Sequence, residues 1–105
     1  MKKFILLLSL TMSLSIYSSL LSSATLVDVR TLEEWNEGHI DSAVRIEWAH
    51  IEDISNYAAK EERIYLYCRS GKRAERAKNI LISSGYLDVI NLGGLQEARA
   101  FFEEK

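Results

Sequence analysis

The chain has 105 residues, a formal net charge of −2 and one cysteine. A chain of this length holds one small domain, and a single cysteine excludes a framework of internal disulfide bonds. The slightly negative charge gives no reason to expect a nucleic-acid partner.

Residues 1–24 have the pattern of a secretory signal peptide. Two lysines precede an apolar stretch that begins at Phe4, and small residues ending at Ala24 provide a cleavage site. We therefore predict that residues 25–105 form the mature domain and that the protein is exported to the periplasm, without stable membrane association after cleavage. The alternative is an uncleaved membrane anchor, because no charge lies between Phe4 and Val27 and this length can span a bilayer.

The predicted domain opens with a short strand and a short helix. Leu26–Val29 contains two β-branched residues, which favour a strand, and it ends beside Arg30. Thr31 followed three residues later by Glu34 is the pattern of a capping box, which begins a helix. The spacing predicts that two side chains share the inner face of this helix, Leu32 and Trp35.

A second strand and a helical stretch follow. The strand is predicted at Ala43–Ile46, and the helical stretch runs from about Trp48 to Ala59. Three residues at three-residue steps are predicted to point inward: Ile51, Ile54 and Tyr57. Trp48 and Tyr57 could line a substrate entrance, but aromatic residues at helical spacing more often belong to the core.

The central stretch is a strand that ends abruptly at the only cysteine. Ile64–Cys68 is apolar, aromatic and β-branched, and a loop over Gly71 follows it. A helical pattern then runs from about Arg73 to Ser84 and ends at the C-cap signal Gly85. Its inward residues are predicted to be Ala74, Ala77, Ile80 and Leu81.

The chain closes with a strand at Val89–Asn91, a turn at Gly93-Gly94 and a final helix. The inner face of this helix is predicted to contain Leu95, Ala98, Phe101 and Phe102. Alternating strands and helices predict an α/β fold with a parallel sheet and helices on both faces, in which ligands bind beyond the carboxyl ends of the strands. Cys68 stands at such an end.

Cys68 is the candidate nucleophile. The N–H groups at the start of the following helix converge on the loop, and together with nearby cations they favour the thiolate, which is the reactive form of cysteine. From residue 69 to residue 78 there is one acid, Glu75, against five basic residues: Arg69, Lys72, Arg73, Arg76 and Lys78. A lone cysteine after an apolar strand is often only a small buried hydrophobe, but its position before an arginine-rich loop favours a reactive role.

No metal or organic cofactor is predicted. The two histidines, His39 and His50, have no ligand-like spacing to Cys68. The two glycines at Gly93-Gly94 do not form the longer glycine-rich motif that a nucleotide-binding loop requires.

The chain contains short motifs in the same order as in one protein family. They are Val27–Arg30, Glu34–Ile40, Cys68–Arg73, Gly85–Val89 and Asn91–Leu95. With them the chain resembles the single-domain rhodaneses, which are thiosulfate sulfurtransferases, over nearly everything from residue 25 onward. The N-terminal segment makes it most similar to the small periplasmic rhodaneses of the phage-shock type. The resemblance implies a three-layer α/β/α fold with a central parallel sheet of about four to five short strands.

The resemblance also implies the roles of the site residues. Cys68 would take a sulfane sulfur from thiosulfate, or a similar small anionic donor, and pass it as a persulfide to cyanide or a thiol. The substrate-binding loop would comprise Arg69, Ser70, Gly71, Lys72 and Arg73, supported by Asp28 and Arg30. In the family, the histidine matched by His39 belongs to an architectural turn, so it is left out of the catalytic set. The protein would act as a monomer.

Two alternatives belong to other functional classes. One is a non-catalytic rhodanese-like module that binds a partner protein, which the retained cysteine disfavours. The other is a cysteine-dependent phosphatase or arsenate reductase with a similar anion cradle. Tyrosine and dual-specificity phosphatases, however, have a longer loop than the four residues between Cys68 and Arg73.

Overall fold

The computed structural model describes residues 24–103, so the predicted signal peptide, apart from Ala24, lies outside the described residues. The elements follow in the order β1 (Ala24–Asp28), α1 (Leu32–Glu37), β2 (Val44–Arg45), a 3-10 helix (Trp48–Asn56), β3 (Arg63–Cys68), α2 (Lys72–Ser83), β4 (Asp88–Gly94) and α3 (Leu95–Glu103). No helix in this part of the chain is long and apolar enough to cross a membrane.

The strands form one parallel sheet in the order β2-β1-β3-β4. Leu66 of β3 lies opposite Val27 of β1 on one side and opposite Asn91 of β4 on the other. The register with β4 then shifts, so that Cys68 lies opposite Gly94. Because the strands are parallel, their carboxyl ends meet at one edge of the sheet, and Cys68 lies at that edge.

Alternating side chains of the sheet build a core on each face. One face packs against the 3-10 helix and α2 through Val27, Ile64, Leu66, Cys68, Trp48, Ile51, Ile54, Ala74, Ala77, Ile80 and Leu81. The other packs against α1 and α3 through Leu26, Tyr65, Tyr67, Trp35, Leu95, Ala98, Phe101 and Phe102. The predicted α/β architecture with helices on both faces is confirmed, and the sheet has four strands.

Local capping signals explain where α1 begins and where α2 ends. Thr31 Oγ1 accepts the N–H of Glu34 at 3.3 Å, and the Glu34 carboxylate accepts the N–H of Thr31 at 3.1 Å, so the predicted capping box is present. After α2, the N–H of Gly85 donates to the C=O of Ile82 at 3.1 Å, and the next N–H donates to the C=O of Leu81. This helix-ending motif requires the left-handed φ of 99° that Gly85 adopts.

The prediction that Leu32 lies inward beside Trp35 is wrong. Trp35 packs against the core, whereas the Leu32 side chain is 53% exposed. Helical side chains lean toward the N-terminus of their helix, and Leu32 is the first residue of α1. Its side chain therefore extends past the end of this short helix instead of onto the sheet.

The segment after β2 is a 3-10 helix, where the spacing predicted a longer helical stretch. It covers Trp48–Asn56 and is interrupted at His50, whose φ of −115° and ψ of 24° are not helical. Ile51 and Ile54 are buried as predicted. Tyr57 is 53% exposed, contrary to the prediction, because it follows the last residue of the helix.

Boundaries of other elements also differ from the prediction: β1, for example, covers Ala24–Asp28 and does not include Val29. β2 is limited to Val44–Arg45, and α2 begins one residue early, at Lys72. β4 continues through Gly93 and Gly94, which therefore close the strand instead of forming a separate turn. The extension follows from the pairing of Gly94 with Cys68, a long-range contact that local sequence does not reveal.

Candidate active site

Cys68 lies at the carboxyl end of β3 and is completely buried. Gly71 is the N-cap of α2, and its N–H donates a hydrogen bond to Sγ of Cys68 at 2.9 Å. Gly71 has a φ of 96°, in the left-handed region that favours glycine. A sulfur anion in this position is stabilised by the N–H group and by the positive end of the helix dipole.

Glycines allow the cysteine loop (residues 68–73) to lie against the end of β4. A Cβ atom added at Gly94 would collide with the carbonyl oxygen of Arg69, and one added at Gly71 would lie 3.2 Å from Cα of Gly93. A larger residue at Gly94 would therefore displace the loop. Sequence reasoning assigned the glycine pair of β4 to a turn and missed this contact.

Asn91 of β4 contacts the cysteine loop through its side-chain amide. Its Nδ2 donates to the C=O of Gly71 and to the carboxylate of Glu75, both at 3.0 Å, and its Oδ1 accepts the N–H of Gly93 at 2.9 Å. Sequence reasoning did not assign Asn91 to the site. The only signal was its place in a motif of the resembled family, because Asn91 and Gly71 are 20 residues apart.

Asp28 and Arg30, the predicted supporting residues, form a buried ion pair at the end of β1. Asp28 is fully buried and Arg30 is only 6% exposed. The carboxylate accepts hydrogen bonds from the backbone N–H, Nε and Nη2 of Arg30, the shortest at 2.7 Å, and the bonds from the guanidinium raise the pKa of Arg30. Nη2 also donates to the C=O of Gly38. The pair thus joins the end of β1 to the end of α1.

Tyr67, which precedes Cys68, is a further buried neighbour that sequence reasoning missed. Its side chain lies on the opposite face of the sheet from the thiol, because side chains alternate along a strand. Its hydroxyl accepts the N–H of Ile40 at 3.2 Å, and the guanidinium of Arg30 lies 5.6 Å from its ring centre. Burial raises the pKa of Tyr67 to about 12, so the phenol stays neutral.

Arg73 is held by a carboxylate. Its Nη1 and Nη2 donate to the two carboxylate oxygens of Glu34 at 2.7 and 2.9 Å. This bidentate pair ties the first turn of α2 to α1, which is a bracing contact, while the charge of Glu34 offsets the positive field expected from Arg73. From the sequence, Glu34 was identified only as a capping residue.

The Glu34–Arg73 pair should make the stability of the protein depend on acidity. The bonds from Arg73 lower the pKa of Glu34 from 4.5 to about 2. Because the folded-state pKa is the lower one, the stabilisation is complete above about pH 4.5 and is lost as the pH falls through about 2. Glu34→Gln, which keeps a capping side chain, should lower the free energy of unfolding by about 2 kcal/mol at neutral pH and by much less near the acid limit.

Urea denaturation of wild type and Glu34→Gln across this pH range measures the effect. An equal loss of stability at neutral and strongly acidic pH would show that the charge of Glu34 is not the cause.

The remaining loop residues predicted for the site lie at the surface: Arg69, Ser70 and Lys72 are exposed. A cleft of about 430 Å³ is lined by Arg30, Glu34, Glu37, Arg69, Leu95, Gln96 and Glu97. A more open depression of about 460 Å³ is lined by Ser70, Gly71, Lys72, Glu75, Asn91, Leu92 and Gly93. The fold thus gathers the predicted site residues at the carboxyl edge of the sheet, around a thiol that is itself covered.

His39 makes structural contacts. Its Nδ1 lies 2.8 Å from the C=O of Trp35, and its ring stacks on the indole of Trp35 with ring centres 3.5 Å apart. Within residues 24–103, no group of three or more His, Cys, Asp and Glu side chains could hold a metal ion.

Comparisons with known proteins identify relatives. The sequence matches the profile described as a rhodanese-like domain over residues 13–100. Thiosulfate sulfurtransferase PspE of Escherichia coli (strain K12) is 31% identical over 98 residues, which cover 91% of this chain and 90% of that protein. YrkF of Bacillus subtilis (strain 168) is 34% identical over 70 residues, which cover 67% of this chain but only 38% of that protein.

The fold is also similar to that of solved structures. A structure described as a rhodanese with anions from E. coli matches with a TM-score of 0.67 and 28% sequence identity, covering 71% of this chain and 91% of that one. The family profile covers most of the present sequence, and PspE matches along nearly its whole length. The chain therefore belongs to the rhodanese-like domain family.

Proposed function

We propose that the protein is a sulfurtransferase that takes a sulfane sulfur from thiosulfate, or a similar small anionic donor, and carries it as a persulfide on Cys68. The observation that carries this proposal is the hydrogen bond of 2.9 Å from the Gly71 N–H to Sγ at the start of α2. A sulfur anion there meets a fixed donor and the positive end of a helix dipole. The likeness to thiosulfate sulfurtransferase PspE supports the same reaction class.

In the first half-reaction, the Cys68 thiolate attacks the outer sulfur of thiosulfate. A new S–S bond forms between Sγ and that sulfur, the bond between the two thiosulfate sulfurs breaks, and sulfite leaves with its electron pair. The outer sulfur remains on the enzyme as a persulfide anion. Charge is conserved, and the step needs no oxidant or reductant.

In the second half-reaction, a thiophilic acceptor removes the outer sulfur. Cyanide attacks it and leaves as thiocyanate, and the S–S electron pair returns to Cys68 as a thiolate. Thiocyanate formation from thiosulfate and cyanide therefore tests the proposal. Protein that neither forms thiocyanate nor takes up sulfur would refute it.

The burial of Cys68 sets a condition on both half-reactions. The residue has no exposed surface, whereas its neighbours Arg69 and Ser70 are exposed. A donor sulfur can reach Sγ only when the covering residues move aside. The proposed cycle therefore includes a movement of the residues that cover Sγ before each transfer, while the Gly71 N–H keeps its hydrogen bond to the sulfur.

Lys72 is proposed to attract the anionic donor. It is exposed at the first position of α2, and the described hydrogen bonds and ion pairs leave its ammonium group without a carboxylate partner, in contrast to Arg73. Lys72→Ala should raise the KM for thiosulfate with a smaller effect on kcat, because the lysine acts on donor binding. Its contribution should be screened over about 8 Å at physiological ionic strength, so kcat/KM of the wild type should fall more steeply with salt than that of Lys72→Ala.

Lys60→Ala is the matched control for this experiment. Lys60 is also exposed, but it precedes β3 and lies at the amino edge of the sheet, opposite the cysteine loop. Steady-state kinetics at several salt concentrations should show wild-type behaviour for this control. If Lys72→Ala also has the wild-type KM and salt dependence, donor attraction does not depend on Lys72.

We further propose that the protein is exported to the periplasm, that the signal peptide of residues 1–24 is cleaved, and that the mature protein acts as a monomer on small molecules. The basic start, apolar stretch and small-residue cleavage site support export. N-terminal sequencing of exported material should begin at or near Thr25. Recovery only in detergent extracts with Met1 or Lys2 intact would establish the membrane-anchored alternative.

A further inference from the structure

We propose that Asn91 is a positioning residue that acts on Cys68 through Gly71. Asn91 lies in β4, and the bonds described for it include none to the thiol. It bonds the C=O of Gly71, however, and the N–H of the same residue donates to Sγ. The inference rests on the proposed sulfur transfer, because it concerns how the donor to the sulfur anion is held in place.

The three hydrogen bonds of Asn91 assign the orientation of its amide. Nδ2 faces two acceptors, the C=O of Gly71 and the carboxylate of Glu75, while Oδ1 faces a donor, the N–H of Gly93. A flipped amide would place its oxygen against both acceptors and its NH2 group against the donor. Both amide protons of Asn91 therefore have hydrogen-bond acceptors, and one of these is the C=O of Gly71.

The position of the Gly71 carbonyl bears on the direction of its N–H group. The carbonyl accepts one bond from Asn91 and another from the N–H of Glu75 at 2.9 Å, which is the first helical bond of α2. These two donors hold the peptide unit between Gly71 and Lys72, which follows the Gly71 Cα. The N–H of Gly71 belongs to the preceding peptide unit, between Ser70 and Gly71, and its direction relative to the Cα is set by the Gly71 φ of 96°. Glycine has the widest range of backbone angles, so external contacts must select this conformation.

This arrangement matters for chemistry because a donor stabilises a developing anion best when it is already oriented before the reaction. The Gly71 N–H faces the sulfur on which both half-reactions occur. Without the hydrogen bond from Asn91, the peptide unit between Gly71 and Lys72 should turn more freely. The φ and ψ of Gly71 would then vary, and its N–H would have to be reoriented toward the sulfur in each turnover. The expected signature is a lower kcat with little change in the KM for thiosulfate, the reverse of the effect expected for Lys72→Ala.

Asn91→Asp tests the inference because it keeps the size of the side chain and an acceptor for Gly93, but replaces the amide donor with an oxygen. Asn79→Asp makes the same chemical change at an exposed position of α2 and serves as the control. Two readouts are needed: steady-state kinetics with thiosulfate and cyanide, and solvent exchange of the Gly71 amide proton by NMR. Thermal unfolding of each variant reports on the fold.

In Asn91→Asp, we expect kcat to fall about tenfold or more and the Gly71 amide to exchange about tenfold faster, while Asn79→Asp matches the wild type in both. Asn91→Ser, which removes the amide without adding a charge beside Glu75 and the anionic donor, is measured in parallel; it should show the same fall in kcat, and it replaces Asn91→Asp if that variant does not fold. Wild-type kcat and wild-type Gly71 exchange in the folded Asn91 variant would overturn the inference. If the wild type itself transfers no sulfur, the proposed function fails, and Gly71 exchange still decides whether Asn91 positions this group.

Discussion

Replacing Cys68 with serine is expected to reduce thiocyanate production from thiosulfate and cyanide to background while leaving the fold intact. Serine is nearly isosteric with cysteine, and its hydroxyl oxygen can accept the Gly71 N–H in place of Sγ. The hydroxyl is not ionised near neutral pH and has no adjacent general base among the contacts described here, so it cannot attack the donor sulfur. The loss of activity should therefore be a loss of chemistry.

Circular dichroism and thermal unfolding of Cys68→Ser provide the control for its fold. Ser83→Ala, which removes a hydroxyl from an exposed position at the last residue of α2, outside the cysteine loop, should retain wild-type activity. Sulfur transfer that survives in a folded Cys68→Ser variant would remove the thiol from the centre of the mechanism.

The second large effect is expected from Asp28→Ala, which should lower the free energy of unfolding by about 3–5 kcal/mol. The substitution leaves the guanidinium of Arg30, only 6% exposed, without the carboxylate that accepts its Nε and Nη2 bonds. An unpaired buried charge costs far more than the pair itself contributes. Because small domains have total stabilities of about 5–15 kcal/mol, the variant should be close to unfolding at physiological temperature.

A double variant separates the cost of the unpaired charge from the value of the ion pair. Asp28→Leu combined with Arg30→Met removes both charges and keeps apolar volume, so it should be more stable than Asp28→Ala. Chemical denaturation measures all three proteins. If Asp28→Ala loses less than about 1 kcal/mol, as expected for a surface substitution, the two residues do not support the site as a buried pair.

Local sequence signals were sufficient for the parts of the fold that depend on near neighbours. The capping box of Thr31 and Glu34 spans three residues, and Gly85 ends α2 through bonds within its own turn. The strand that stops at Cys68 likewise leads directly into a loop and a helix. The position of the thiol at the carboxyl edge of a parallel sheet could therefore be predicted.

Contacts between distant elements could not be predicted in the same way. Glu34 and Arg73 are 39 residues apart, so nothing in the local sequence indicated that Arg73 is paired with a carboxylate. Asn91 reaches Gly71 only because β4 lies beside β3, a pairing set by the whole sheet. The spacing of apolar residues also predicted the wrong burial at the ends of helices. Leu32 is the first residue of α1 and Tyr57 follows the last residue of the 3-10 helix, and both side chains are exposed.

The mass of the purified protein after treatment with thiosulfate shows whether Cys68 takes up sulfur. If Cys68 carries a persulfide, the intact mass increases by one sulfur atom, peptide analysis locates this atom on Cys68, and cyanide restores the original mass. Cys68→Ser should show no increase under the same conditions. An unchanged mass of the folded wild-type protein, or the same increase in Cys68→Ser, would contradict a persulfide on Cys68.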